Sequence, residues 1–214
     1  MFNIQQGILN NEIRMADIFN FKLIMMKQHI LPALKLTLVC IVVFIGLYTL
    51  LIWGIAQAAP NNGKGETVSV NNKVVGYKLE GQNFTADNYF NSRPSAAGYN
   101  AAGSSGSNKG PSNPDYLKTV QDRVDTFLVH NPSVKKEDIP SELVTASGSG
   151  LDPDISPEGA KVQVKRIAAV RKIDADKINS LVEQNIQAPF LGLFGTSKIN
   201  VLKLNIELDR LSGK

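Results

Sequence analysis

One cysteine, two histidines and one tryptophan in 214 residues remove several classes of protein at once. A lone thiol, Cys40, cannot build a disulfide framework. Two His and one Cys are too few for a structural zinc site, which takes four ligands largely from those residue types. Excess charge of one sign is also scarce: 23 Lys+Arg stand against 19 Asp+Glu, a formal net charge of +4. Residues 1–56 hold Arg14, Lys22, Lys27 and Lys35 with Glu12 and Asp17, leaving 19 basic and 17 acidic side chains for residues 57–214. That surplus forms no basic stripe, so nucleic acid is not expected as a partner. The length allows one domain of moderate size plus an extra segment, and not two full domains.

Catalytic signatures are thin as well. A phosphate loop counted from Gly103 has Asn108 where its second glycine belongs and Gly110 where Ser or Thr should follow Lys109. A looser backbone nest for an anion stays open in that stretch. Asp152-Pro153-Asp154-Ile155-Ser156 imitates the start of a calcium loop, but Pro157 takes the glycine position and Gln163 the closing carboxylate position. Turn chemistry ahead of a helix is the better reading, and no metal is expected on this chain alone. No G-x-S-x-G occurs, and His130 falls at a helix end, where a cation is favourable anyway. The Asp-Lys-Thr that begins the phosphorylated segment of cation-pumping ATPases is missing too.

Long apolar runs are what the chain does have. Leu36–Ala56 is 21 residues without a charge, and as a helix it would span about 31 Å, close to a bilayer's hydrocarbon core. Ala56-Gln57-Ala58 resembles a signal-peptidase site, yet the run exceeds the roughly 7–15 residues of a signal core, which favours a retained anchor. Tyr48 and Trp53 sit in its last third, where such rings reach an interface. Lys22, Lys27 and Lys35 precede the run and Lys64 and Lys73 follow it, a bias that places residues 57–214 outside the cytoplasm. Residues 1–25 scatter apolar side chains among Asn and Gln. They read as an interfacial helix or, slightly favoured, as sequence upstream of a start at Met25 or Met26. The expected organisation is a tail over 1–29, an anchor over 30–57, a linker over 58–65 and a soluble α+β domain over 66–214.

Within that domain, Glu66–Val70 and Val74–Leu79 read as strands flanking a turn at Asn71-Asn72-Lys73. Residues 91–115 contain four Gly, six Ser, four Asn, three Pro and four Ala, a Gly/Asn/Ser loop suited to close backbone packing. Asn113-Pro114-Asp115 and Ser156-Pro157-Glu158 each combine a cap, a first-turn proline and an acid, and Asp174 caps a third helix ended by Ala188-Pro189. Apolar stripes follow at Leu117, Val120, Val124, Phe127 and Leu128, at Ala160, Val164, Ile167 and Ala168, and at Ile178, Leu181 and Val182. The closing segment from Ile199 fits a helix through Val201, Leu204, Leu208 and Leu211, with Asn200 as cap. It fits a strand through Leu202, Leu204, Ile206 and Leu208 equally well.

Three segments together resemble one family. They are Tyr89–Asn100 (YFNSRPSAAGYN), Gly106–Pro114 (GSNKGPSNP) and Val144–Pro157 (VTASGSGLDPDISP), with Asn-Val-Leu-Lys-Leu-Asn at Asn200–Asn205. In this order behind one N-terminal anchor they look like the C subunit of the bacterial Kdp-type high-affinity potassium-transporting ATPase, from about Met26 to the end. The 25-residue extension departs from the pattern, as does Lys109, which stands where an apolar residue is expected. The resemblance implies a single-pass accessory subunit of the bacterial inner membrane. Its partners would be a potassium-channel-like subunit and a P-type ATPase subunit, and ATP would be engaged through the complex. It further implies a catalytic chaperone that assists assembly and raises the nucleotide affinity of the ATPase subunit. For that role the expected contacts with nucleotide or partner are Ser147, Gly148, Ser149 and Gly150 with Gly103 and Gly106, while Arg93, Asn108 and Lys109 are expected to meet a partner. The alternative is an extracytoplasmic structural subunit that stabilises both partners without touching nucleotide.

Overall fold

The computed structural model describes residues 26–213, so the interfacial helix considered for residues 1–25 lies outside the described residues. The chain divides into two compact units that meet in sequence between Gly63 and Lys64.

The first unit is a helix, α1, over Met26–Gln57, 32 residues long with a mean hydropathy reaching 2.6. It begins ten residues before the charge-free run and takes in Lys27 and Lys35. All its side chains except Cys40, Gly46 and Ala56 are exposed. A helix apolar on every side suits lipid, and this one is long and apolar enough to span a bilayer. Ile41–Leu47 is wound as a π-helix, with the Tyr48 amide reaching back five residues to Val43. The Thr49 hydroxyl donates to Phe44 O (3.3 Å), covering one of the carbonyls that the wider turn displaces.

The second unit is α+β. Strands β1 (Thr67–Val70) and β2 (Lys73–Tyr77) form an antiparallel hairpin. The turn is two residues, because Asn71 and Asn72 both adopt positive φ (50° and 61°). Such a turn matches strand twist and returns Lys73 to pair with Val70. The register slips between Val68 and Ser69, which brings Gly76 opposite Val68. A Cβ at Gly76 would fall 1.7 Å from the Gln82 side-chain nitrogen, so a larger residue there would require the Gln82 side chain to move.

Helix α2 (Pro114–His130) starts where its cap sequence predicts, with Asn113 Oδ1 accepting from the Tyr116 amide (3.0 Å). Its stripe is only partly covered: Val124 is buried, whereas Leu117 is 52% exposed. The helix expected from Ser156 is two pieces, α3 (Pro157–Lys161) and α4 (Val164–Arg171). The break falls at Val162-Gln163. The Gln163 side-chain Nε2 takes the Gly159 carbonyl (2.9 Å), the acceptor that a continuous helix reserves for the Gln163 amide. That amide turns to Ala160 O instead (3.0 Å). Helix α5 (Ala175–Gln184), capped by Asp174, buries Ile178 and Val182 and ends four residues before Ala188.

The closing segment resolves as the helix: Leu202, Leu204, Ile206 and Leu208, the alternative strand positions, all lie within it, and only Ile199–Asn200 ahead of it is extended. Ile199–Asn200 forms β4, paired antiparallel with β3 (Asp154–Ile155), and α6 (Val201–Leu211) follows at once. Asn200 serves both, since its Oδ1 caps α6 at the Lys203 amide (3.0 Å) while its Nδ2 donates to Lys78 O (2.8 Å). The core gathers Ala160, Val164, Ile167, Ile178, Val182, Leu204 and Leu208 from four helices around Phe90, Ile155 and Ile199. Phe90 comes from a segment without regular structure, and that segment leads directly into the glycine- and serine-rich loops.

Candidate functional site

The chain around Phe90 has no strand neighbour, so side chains satisfy its buried peptide groups. Asn205 of α6 accepts from the Phe90 amide (2.8 Å) and donates to the Phe90 carbonyl (3.0 Å). Gln163 does the same for the next residue, accepting from the Asn91 amide (2.8 Å) and donating to the Asn91 carbonyl (3.3 Å). Two side-chain amides thus replace the ladder of a β-sheet and hold Phe90 in the core with no exposed surface.

Arg166, only 6% exposed, ties this clamp to its surroundings. Its guanidinium donates to Asn131 Oδ1 (3.0 Å), Asp87 O (2.6 Å), Asn91 Oδ1 (2.9 Å) and Gln163 Oε1 (2.8 Å). Burial pulls the Arg166 pKa below its ordinary value, and the Asp87 carboxylate opposes that shift. A buried cation of this kind is tolerable because its donors are satisfied. On the other side of Phe90, the Tyr89 hydroxyl donates to Asp209 (3.0 Å), and Arg171 lies 4.7 Å from the Tyr89 ring centre while pairing with Asp209 (2.8 Å). Burial, with the Asp209 carboxylate adding to it, raises the Tyr89 phenol above its usual range.

With residues 89–91 fixed, the loops fold against one another. The Ser147 amide donates to Pro94 O (3.1 Å), the Ser95 hydroxyl to Gly150 O (2.6 Å) and the Ser105 amide to Ser149 O (2.9 Å). The Ser104 hydroxyl also reaches Ser149 O (2.9 Å). Inside the turn, the Gly150 amide donates to the Ser147 hydroxyl (2.9 Å) and the Leu151 amide to the Ser149 hydroxyl (3.0 Å). The approach is so close that a Cβ on Gly150 would stand 2.7 Å from Ser105 O, and one on Gly106 would stand 3.0 Å from Gly148 O. Gly150 also has a φ of +69°, which independently favours glycine. The Tyr99 hydroxyl closes the far end on Arg93 O. Burial raises its pKa above the ordinary tyrosine value.

The structure therefore brings Gly106, Ser147, Gly148, Ser149 and Gly150 into one packed platform. Ser147 is 3% exposed, whereas Gly148 and Ser149 face outward. Gly103 is exposed and has open space where a Cβ would point. Asn108, at φ +51°, and Lys109 are exposed on the same glycine-rich segment. Arg93 is half-buried and pairs with Asp152 (2.9 Å), bracing the first loop against the third. Asp154 is engaged by Lys198 (2.6 Å). Among the described residues no group of three or more His, Cys, Asp or Glu is placed to hold a metal ion. Chemically the platform is a rigid, mostly uncharged surface whose hydroxyls and several of whose amides serve its own closure.

Sequence reasoning missed Gln163, Arg166 and Asn205. The available signal was a polar residue on an apolar helical stripe: Asn205 shares its face with Val201, Leu204 and Leu208, and Gln163 lies one turn from Ala160 and Ile167.

The family described as K+-transporting ATPase, c chain, matches residues 30–210. The chain is 60% identical over 184 residues to the potassium-transporting ATPase KdpC subunit of Flavobacterium psychrophilum, covering 86% of this chain and 99% of that protein. It is 51% identical over 190 residues to the protein of the same name from Bacteroides fragilis, covering 87% and 100%. A further relative of that name, from Bacillus cereus, is 44% identical over 188 residues, covering 86% and 97%.

Proposed function

The chain belongs to the family of K+-transporting ATPase c chains, and we propose that it serves an ATP-driven potassium-uptake complex as a non-catalytic accessory subunit acting through protein contacts. In this reading α1 anchors the chain once in the bacterial inner membrane. Residues 57–214 lie outside the cytoplasm, as the lysines before and after the apolar run favour. Its partners are a potassium-channel-like subunit and a P-type ATPase subunit.

The observation that carries the proposal is that the first and third loops, together with Ser104 and Ser105, spend polar groups on each other. A phosphate bound at Ser147–Gly150 would need backbone amides, and those of Ser147 and Gly150 are donated to Pro94 O and the Ser147 hydroxyl. Gly148, Ser149, Gly103, Asn108 and Lys109 remain outward. They form a stiff rim for a protein neighbour. Assistance to assembly, and any rise in the nucleotide affinity of the ATPase subunit, then comes from stabilising one conformation of the complex.

The test titrates the purified full chain, and separately the complex with and without it, with a fluorescent ATP analogue. The chain alone is expected to show no saturable submillimolar binding, while the complex binds nucleotide more tightly when the chain is present. Saturable binding by the chain alone would overturn the proposal and make Ser147–Gly150 a nucleotide contact.

A further inference from the structure

A run of highly exposed large apolar side chains lies together in the second unit between α5 and β4. Phe190, Leu191, Leu193 and Phe194 are 72%, 74%, 80% and 64% exposed. The segment Gln187–Ser197 that carries them contains no charged residue. Its backbone is nevertheless closed on itself. Phe190 and Phe194 exchange both hydrogen bonds of a bridge (2.9 and 3.0 Å), Gly192 donates to Pro189 O (2.9 Å), and Leu193 donates to Phe190 O (3.1 Å). Gln187 and Lys198 pair in the same way at the base (2.8 and 3.1 Å). Leu191, at φ +54°, lets the chain reverse in so few residues.

We propose that this knuckle is a second, shallow membrane contact, inserting its phenylalanines and leucines into the lipid interface. Three features select lipid over a protein surface as the occupant. Lipid offers no partner for backbone polar groups, and here those of Phe190 and Phe194, with the Gly192 and Leu193 amides, are paired within the knuckle. Lipid also disfavours charge, and none occurs over the segment. Finally, the same chain carries a helix long and apolar enough to span a bilayer, so the knuckle belongs to a protein held at a membrane. An interfacial contact seats apolar side chains roughly 5–10 Å into the headgroup boundary, a depth that one tight turn can reach. The inference rests on the reading of α1 as an anchor, and it adds a role for a loop that the platform does not use.

The experiment places an environment-sensitive dye on a cysteine at Leu193→Cys or, as control, Ser180→Cys, both in Cys40→Ala. A third preparation labels the native Cys40. Each full chain is reconstituted in phosphatidylcholine and phosphatidylglycerol nanodiscs, with and without the other subunits, and titrated with lipids spin-labelled near the headgroup or deep in the acyl chain. The expected result is a blue-shifted dye at 193 quenched by the shallow spin label, no quenching at 180, and a dye at Cys40 quenched by the deep label. The pattern at 193 should persist in the complex. A dye at 193 that behaves like that at 180 while Cys40 is quenched overturns the knuckle and leaves the anchor standing. Loss of lipid quenching at 193 once the other subunits are added overturns it in favour of a protein occupant. A water-exposed Cys40 dye overturns both readings together.

Discussion

Replacing Asn205 with leucine isolates what the side-chain clamp contributes. The substitution keeps the branched shape and the number of side-chain heavy atoms and removes both hydrogen bonds to Phe90, at 2.8 and 3.0 Å. Phe90 has no exposed surface, so water cannot easily replace Asn205 at either peptide group. Each buried polar group left unpaired costs about 1–3 kcal/mol, and the added leucine surface offsets about 1 kcal/mol of the total. A net loss of about 3 kcal/mol follows, which for a domain of this size lowers Tm by about 9 °C. The assay is thermal unfolding of the full chain in detergent, followed by circular dichroism. Lys203→Leu, on the exposed face of the same helix, serves as control. If Asn205→Leu and Lys203→Leu shift the transition equally, the clamp does not hold residues 89–91 and the reasoning fails.

Gly150→Ala should cost about 2–4 kcal/mol through left-handed backbone strain and steric displacement, because its Cβ would stand 2.7 Å from Ser105 O. Gly103→Ala, with open space around it, should stay within about 0.5 kcal/mol in the same unfolding assay. Stability should fall as pH rises through 10, since burial raises the Tyr99 pKa above 10.0 and the folded chain keeps a proton that the unfolded chain releases. Urea titrations at successive pH values should show a shallower decline for Tyr99→Phe, with Tyr89 supplying the remainder. Single cysteines at Asn72 and Ser180, both exposed, in a Cys40→Ala background should react with a membrane-impermeant maleimide on intact cells. Protection until lysis would reverse the orientation.

Local chemistry was the legible part of this chain. Asn113, Ser156 and Asp174 cap helices where their side chains announce it, because a cap depends on residues within one turn. The charge-free run likewise announces α1, although its helix extends further towards the N-terminus. Contacts made across the chain were not legible. The helix breaks at Gln163 although its apolar spacing continues across it, and there the Gln163 side chain bonds Asn91, 72 residues away. Beside the hairpin bulge Gln82 stands against Gly76, a contact that alternation alone does not specify. The loops between 91 and 115 were recognisable as unusual from composition. Their mutual packing needed Gly150 and Ser149, whose relation to Ser105 exists only in three dimensions. Arg93 followed the same rule, since its partner Asp152 lies 59 residues on.

The clamp on Phe90 also sets an order of events during synthesis. Asn205 follows Phe90 by 115 residues, and at about 5–20 residues per second the ribosome needs roughly 6–23 s to supply it. Throughout that interval the Phe90 peptide groups lack their final partner, although Gln163 reaches the neighbouring Asn91 earlier, 72 residues on. Placing this fastener in α6 ties closure of the core around Phe90 to a helix made 115 residues downstream.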